Sequence, residues 1–261
     1  MIIGAACLVV LIIGGVFVAG VGTAFTQRYA SNHHFLNSST AAVFETIDHE
    51  LNLPYRLYVP ADRGDGKPLP LLLFLHGAGD KGDNNTDQTR DAEILDILTE
   101  NAKYPCVLLA PQCPTDGYWS GADSSRNPSG LDVLAAVKDL ITSVQGEYNV
   151  DSSRLYITGF SMGGYGVYGM LAKYPTMFAC AVPCAGWAEP ADYSSLTTKT
   201  PIWAFHGVLD TNIKVWHDMA TVGAIRKNGG NVKLTSYLLS QHDCWDRAYA
   251  DPALMPWIFS H

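Results

Sequence analysis

The most constraining feature of the sequence is a glycine-rich turn between an apolar run and a helical pattern. The run LYIT at 155–158 is typical of a buried strand, and it leads directly into GFSMGG at 159–164. Residues 165–174 then predict a helix that stops before Pro175. A strand that turns sharply into a helix needs glycines where the backbone is crowded, and it exposes the serine at its tip. The turn therefore favours an α/β fold and makes Ser161 a candidate nucleophile.

Short apolar runs alternate with helical patterns along the chain. We predict strands at residues 43–48, 55–59, 71–75, 107–110, 154–158, 178–183, 202–205 and 232–237. We predict helices at residues 91–101, 131–145, 165–174 and 215–227 and at the C-terminus. Because continuous apolar runs suit strands that are buried on both faces, we expect a mostly parallel sheet covered by helices on both sides.

The N-terminus differs from the rest of the chain. Residues 1–27 carry no charge, and residues 2–25 are apolar over a length that can cross a bilayer as a helix. The segment lacks a basic start but ends in small residues at 22–24, so a cleaved export signal and a retained membrane anchor both stay open. Either reading predicts a secreted protein or a membrane attachment that faces outside the cytoplasm. Residues 28–40 predict a polar tether, and residues 41–261 predict one catalytic domain.

Charge and cysteine content limit the possible partners. The net charge of −8 and the lack of a Lys/Arg cluster argue against nucleic acid. Five of the six cysteines lie beyond the apolar segment and none forms a CxxC pair, so at least one stays unpaired and a zinc site is not expected. Asp80, Asp83 and Asp87 lack the terminal Glu of an EF-hand loop, so we predict a solvated loop there. We therefore expect no metal and no cofactor.

A serine nucleophile needs a base and an acid that orients it. A serine hydroxyl reacts when an imidazole takes its proton, and a carboxylate normally holds the other ring nitrogen. In α/β enzymes the acid and the histidine follow the serine in that order, each after a later strand. Asp210 follows the predicted strand 202–205, and His242 follows the strand 232–237. We predict that Ser161, Asp210 and His242 form the catalytic group.

The other candidates fit this pattern less well. His217 falls inside a predicted helix, where a structural role is the ordinary explanation. Asp243 directly follows His242 in the chain and would have to turn back to reach the ring of its own neighbour. Asp192 and Asp218 are less well placed after a strand.

Acyl chemistry at Ser161 also needs backbone N–H donors for the developing oxyanion. Ala78, after the strand at 71–75, and Met162, after the serine, are the expected donors. We assign His76 and His206 structural roles beside their glycines. Trp119 and Trp245 are candidates for the wall of a substrate pocket, although core packing explains each of them equally well.

With these residues in place, the chain resembles a bacterial branch of the α/β-hydrolases often labelled predicted peptidases, related to polyhydroxybutyrate depolymerases and feruloyl esterases. The supporting stretches are LFLHGAGDKG at 73–82, APQCP at 110–114, DSSRLYITGFSMGG at 151–164, HG at 206–207 with Asp210, and HDCW at 242–245. The resemblance runs from about Tyr55 to the C-terminus. It implies that Ser161, Asp210 and His242 are the triad, and it favours carboxylesterase over peptidase activity. Lys81 departs from the arginine that relatives tend to carry.

The leading hypothesis is therefore hydrolysis of a small-molecule or carbohydrate-linked ester through an acyl-serine intermediate, with little or no cap domain over the site. A serine peptidase would use the same triad and differ in its leaving group. A catalytically silent binding protein of the same fold is the alternative from another class.

Overall fold

The computed structural model describes residues 35–45, 51–61, 66–121, 127, 130–196 and 199–261. The strands in these residues are β1 (Thr40–Glu45), β2 (Asn52–Tyr58), β3 (Leu69–Leu75), β4 (Val107–Pro111), β5 (Val150–Phe160), β6 (Cys180–Cys184), β7 (Ile202–Gly207) and β8 (Val232–Tyr237). The main helices are α1 (Glu93–Glu100), α2 (Val133–Glu147), α3 (Met162–Lys173), α4 (Val215–Lys227), α5 (Trp245–Tyr249) and α6 (Leu254–Ile258).

The strands form one sheet in the order β1-β2-β4-β3-β5-β6-β7-β8. β2 runs antiparallel to both of its neighbours, while all pairs from β4 across to β8 are parallel. The predicted fold class, a mostly parallel sheet with helices on both faces, is therefore confirmed.

β3 shows why an all-apolar strand lies at the centre of this sheet. Successive side chains of a strand point to opposite faces. Leu71, Leu73 and Leu75 pack into the core under α2 and α3, whereas Leu72 and Phe74 pack into the core under α1, α5 and α6. Both faces of β3 are thus buried, and burial of each such side chain contributes about 1.5–3 kcal/mol.

The structure extends or shifts some of the predicted elements. β5 begins at Val150 rather than at residue 154, because Val150 pairs with Leu69 of β3 although the intervening residues are polar. α3 begins at Met162, directly after Ser161, rather than at residue 165.

The expected end of the polar tether is also corrected. Residues 35–38 are helical, and Thr40 already belongs to β1. Phe35 is fully buried and its backbone N–H donates to the carboxylate of Asp96 on α1. The folded part therefore includes residues that we had predicted to lie in the tether.

No helix in the described part of the chain is long and apolar enough to span a membrane. The apolar segment 2–25, for which we predict export or anchoring, lies outside the described residues.

The end of β3 and the start of α3 pack backbone against backbone. A Cβ added to Gly163 would lie 1.8 Å from the carbonyl oxygen of Leu75, a distance at which the helix and the strand would have to separate. A Cβ added to Gly159 would lie 2.6 Å from the same oxygen. This contact fixes the position of the residues that follow β3 relative to those that follow β5.

We expect Gly163→Ala to lower the free energy of unfolding by about 3 kcal/mol, because neither backbone can move away cheaply. Gly146 on α2 is the matched control, since a Cβ there meets nothing within 4 Å. Gly146→Ala should raise stability by about 0.5–1 kcal/mol, as alanine is the better helix former. Urea unfolding of both variants measures the difference, and equal midpoints would contradict the packing argument.

Candidate active site

Ser161 lies at the turn between β5 and α3 in a conformation that few side chains adopt. Its φ of 56° and ψ of −119° fall outside the regions ordinarily open to non-glycine residues. Its N–H donates to the carbonyl of Cys184 at 2.9 Å, and its carbonyl accepts from Tyr165 at 3.0 Å. Such strain costs about 1–3 kcal/mol and persists only where the surrounding structure holds it. The turn presents the Ser161 hydroxyl at the carboxyl edge of the sheet.

His242 and Asp210 meet Ser161 at this edge. His242 Nε2 is 2.9 Å from Ser161 Oγ, and His242 Nδ1 is 2.7 Å from Asp210 Oδ2. The Asp210 carboxylate is fully buried, while the His242 side chain is 20% exposed. The structure therefore brings together the three residues that we predicted from their positions after β5, β7 and β8.

The partners of His242 determine its tautomer. A carboxylate only accepts hydrogen bonds, so Nδ1 carries the proton that Asp210 receives. Nε2 of the neutral ring is then left with a lone pair directed at the Ser161 hydroxyl. This is the arrangement needed for His242 to take the hydroxyl proton.

Asp210 is held by its own loop. Its Oδ1 accepts the N–H groups of Asn212 at 2.8 Å and Ile213 at 2.9 Å. With Oδ2 facing His242, both carboxylate oxygens have donors. The orientation of the His242 ring therefore depends on a carboxylate that cannot rotate without losing several hydrogen bonds.

His76 shapes the loop after β3. It is fully buried, its Nδ1 donates to the carbonyl of Gly77 at 2.7 Å, and its Nε2 accepts the N–H of Cys113 at 2.9 Å. Since the C=O and N–H of a trans peptide point in opposite directions, holding the Gly77 carbonyl also directs the Ala78 N–H. Burial lowers the pKa of His76 to about 4, so the ring is neutral near neutral pH.

Ala78 and Met162 carry the N–H groups that we predicted as oxyanion donors. Ala78 follows β3 and is exposed, while Met162 is the first residue of α3. Within the described chain neither N–H donates to a protein acceptor. Both donors are therefore available to a ligand.

The two tryptophans occupy different positions. Trp119 is fully buried, and its indole N–H donates to the carbonyl of His76 at 3.0 Å. Of the two roles left open for Trp119, the structure favours core packing, because the ring packs behind the loop after β3. Trp245 stacks on Phe160 with ring centroids 4.3 Å apart, and its ring lies perpendicular to that of His242 with centroids 5.4 Å apart. Trp245 supports the His242 ring, and its contact with substrate stays a prediction.

The other candidates lie apart from this group. His217 and Asp243 are exposed. Asp218 is buried against His206 rather than His242. Lys81, the departure from the family pattern, donates to the carbonyls of Thr115 at 2.9 Å and Gly117 at 3.4 Å, so a lysine anchors this loop.

The described residues contain no group of three or more His, Cys, Asp or Glu side chains that could hold a metal ion. The five cysteines among them are free and buried. Burial raises the pKa of each of these thiols, so they are neutral and do not add a second nucleophile to the site.

A cavity that sequence reasoning missed lies beside α3. It has a volume of about 360 Å³ and is lined in part by Ser120, Tyr165, Lys173, Glu189 and Asp192. Tyr165 lies one helical turn after Ser161, and its ring packs against Tyr118 and Trp187. These side chains come from two separate loops and a helix, so no local pattern in the sequence marks them.

The fold and the site define the class of this protein as an α/β-hydrolase. The sequence profile of the phospholipase/carboxylesterase family matches residues 119–251, just over half of the chain. The chain belongs to this family.

Named relatives agree with this assignment. The chain is 30% identical to a poly(3-hydroxyalkanoate) depolymerase of Paucimonas lemoignei over 70% of its own length and 42% of the relative. It is 29% identical to a feruloyl esterase B of Neurospora crassa over 58% of its own length and 49% of the relative. The chain thus spans less than half the length of these two relatives.

A solved structure, a thermostable esterase, is 31% identical and has a TM-score of 0.77 over 87% of this chain and 64% of that one. A ferulic acid esterase shares the fold at 13% identity and a TM-score of 0.66, over 84% of this chain and 96% of that one.

His76→Asn leaves at most one of the two ring hydrogen bonds and should destabilise the protein at neutral pH. The folded pKa of His76 lies near 4, below the unfolded value of 6.5, so only the unfolded chain takes up this proton between these pH values. The free energy of unfolding of the wild type should therefore fall by about 3 kcal/mol through His76 as the pH falls from 6.5 to 4. The variant should not show this loss. Urea unfolding over this pH range should show that the difference in free energy of unfolding between the wild type and the variant becomes smaller. Parallel pH curves would contradict a buried neutral His76.

Proposed function

We propose that the protein hydrolyses carboxylic esters through an acyl intermediate on Ser161, with His242 as general base and acid and Asp210 as the residue that orients it. The observation that carries the proposal is the continuous chain of hydrogen bonds from Asp210 through His242 to Ser161. The strained turn at Ser161 and membership of the phospholipase/carboxylesterase family support it independently.

In the first half of the reaction, Ser161 Oγ attacks the ester carbonyl carbon while His242 Nε2 takes the hydroxyl proton. The Asp210 carboxylate stabilises the imidazolium that forms. The N–H groups of Ala78 and Met162 donate to the oxyanion of the tetrahedral intermediate, and one such donor is typically worth about 10²–10³ in rate. The intermediate then collapses, and His242 returns the proton to the departing alcohol.

In the second half, a water molecule replaces the alcohol. His242 Nε2 takes a proton from this water as its oxygen attacks the acyl carbon. The second tetrahedral intermediate expels Ser161 Oγ, which regains its proton from His242, and the carboxylic acid leaves. The same donors at Ala78 and Met162 serve both intermediates.

For the substrate we propose an aryl or carbohydrate ester. The cavity beside Tyr165 supports this, because its wall combines an aromatic ring with hydroxyl, ammonium and carboxylate side chains. Such a wall suits a group with apolar faces and polar edges. The names of relatives point the same way, as they include feruloyl and acetylxylan esterases.

Ser161→Ala should abolish turnover of p-nitrophenyl acetate and labelling by a fluorophosphonate, since both need the Oγ nucleophile. Activity should fall by about 10⁴-fold or more. Ser143→Ala, on the exposed side of α2, is the matched control and should keep both. The proposal fails if Ser161→Ala hydrolyses the ester as fast as the control.

Matched ester and amide substrates should separate esterase from peptidase. We expect kcat/KM for the ester to exceed that for the amide by about 10²-fold or more, because expulsion of an amine depends much more on protonation by His242. Acetyl, feruloyl and longer-chain esters measured alongside give the acyl preference. Equal rates on the ester and the amide would instead favour a peptidase.

A further inference from the structure

A second buried histidine lies directly behind the proposed triad. His206 is the penultimate residue of β7 and is fully buried. Its Nδ1 is 3.0 Å from Asp218 Oδ2, and its Nε2 is 2.8 Å from the carbonyl oxygen of Ile213. Nε2 is also 3.4 Å from Asp210 Oδ2. Every near neighbour of the two ring nitrogens is therefore an oxygen that can accept a hydrogen bond.

This arrangement fits the doubly protonated ring. A neutral imidazole donates from one nitrogen and keeps a lone pair on the other, so one lone pair would face an oxygen. An imidazolium donates from both nitrogens. Burial opposes the charge on His206, but the hydrogen bond and negative charge of Asp218 outweigh it and raise the pKa of His206.

Asp218 has a pKa that burial raises, while its hydrogen bonds with His206 and Tyr168 act in the opposite direction and favour the carboxylate. It lies on α4, is fully buried, and its Oδ1 accepts the hydroxyl of Tyr168 on α3 at 2.7 Å. The other titratable groups near this pair are the thiols of Cys184 on β6 and Cys244 before α5. Burial raises the pKa of both thiols, so they add no charge. A buried charge requires a partner with good geometry, and His206 is the partner of Asp218.

His206 also closes the loop that carries Asp210. The Ile213 N–H donates to Asp210 Oδ1, while the Ile213 carbonyl accepts from His206. Asp210 Oδ2 has His242 on one side at 2.7 Å and His206 on the other at 3.4 Å. Changes at His206 therefore reach His242 through the Asp210 carboxylate and its loop.

We propose that His206, held as an imidazolium by Asp218, is a positioning residue that orients Asp210 and offsets part of its negative charge at His242. The proposal rests on the function proposed above. A positive charge on His206 beside Asp210 also opposes a second positive charge at His242, because like charges disfavour each other. Neither His206 nor Asp218 touches the substrate in this scheme.

The test measures the pH profile of kcat/KM for p-nitrophenyl acetate. His206→Gln keeps an amide donor for the Ile213 carbonyl and removes the charge. The double variant His206→Gln with Asp218→Asn replaces the ion pair by two amides, so no buried charge loses its partner. We expect the acid limb of the profile to move up by roughly one pH unit in both. kcat should fall by about tenfold with little change in KM, through looser alignment of Asp210.

His217→Gln makes the same chemical change on an exposed residue next to Asp218 and should leave the acid limb in place. A residue with a merely structural role would lower the amount of folded enzyme without moving the limb. If the acid limb of the pH profile does not move in variants that a fluorophosphonate still labels at Ser161, the proposal for His206 is overturned. The proposed function then stays intact. Absence of labelling in the wild type would instead remove the proposed function.

A measurement on the wild type does not depend on activity or on any variant keeping its fold. The NMR signals of the two ring nitrogens of His206 can be assigned through the ring carbons bonded to them. At pH 7 they should show that both nitrogens are protonated. One unprotonated nitrogen would overturn the proposal.

Discussion

The close packing of β3 against the start of α3 is the constraint on which the site depends. Because Gly163 has no side chain, the helix approaches the Leu75 carbonyl more closely than any other residue would allow. This approach places the first N–H of α3 beside the loop that leaves β3, so the two predicted oxyanion donors belong to one rigid contact. The strained backbone of Ser161 is held between this contact and the hydrogen bond to Cys184 on β6. The hydroxyl and both donors are thus positioned by backbone atoms.

A second backbone contact does the same for the acid and the base. A Cβ on Gly207 would lie 2.0 Å from the Gln241 carbonyl, so the loops after β7 and β8 also touch directly. The N–H groups of Val208 and Leu209 donate across this boundary to Tyr237 and Ser240, each at 3.0 Å. The site therefore consists of two rigid halves. The hydrogen bond between Ser161 and His242 joins these halves across the width of β6 and β7.

The sequence was sufficient for features that depend on local order. Strands buried on both faces are apolar throughout, so β3, β4 and β7 could be recognised, and the residues after parallel strands had to meet at one edge. That reasoning located Ser161, Asp210 and His242 without knowledge of any contact. It failed where burial depends on distant elements, as with Phe35, whose partner Asp96 is 61 residues away. For Trp119 it left two roles open, because a tryptophan after a turn can face a pocket or the core.

The two buried histidines show why such contacts cannot be read from a local pattern. His76 and His206 each follow an apolar residue of a strand and precede a glycine, and both are fully buried. At His76 one ring nitrogen meets a carbonyl and the other meets the N–H of Cys113, which satisfies a neutral ring. At His206 both nitrogens meet oxygens, one of them on a carboxylate of a helix that follows in the chain. The same His-Gly dipeptide thus supports a neutral ring behind the loop after β3 and favours a charged ring behind Asp210. The difference comes from the partner of each ring, which is the N–H of Cys113 after β4 in one case and the carboxylate of Asp218 on α4 in the other.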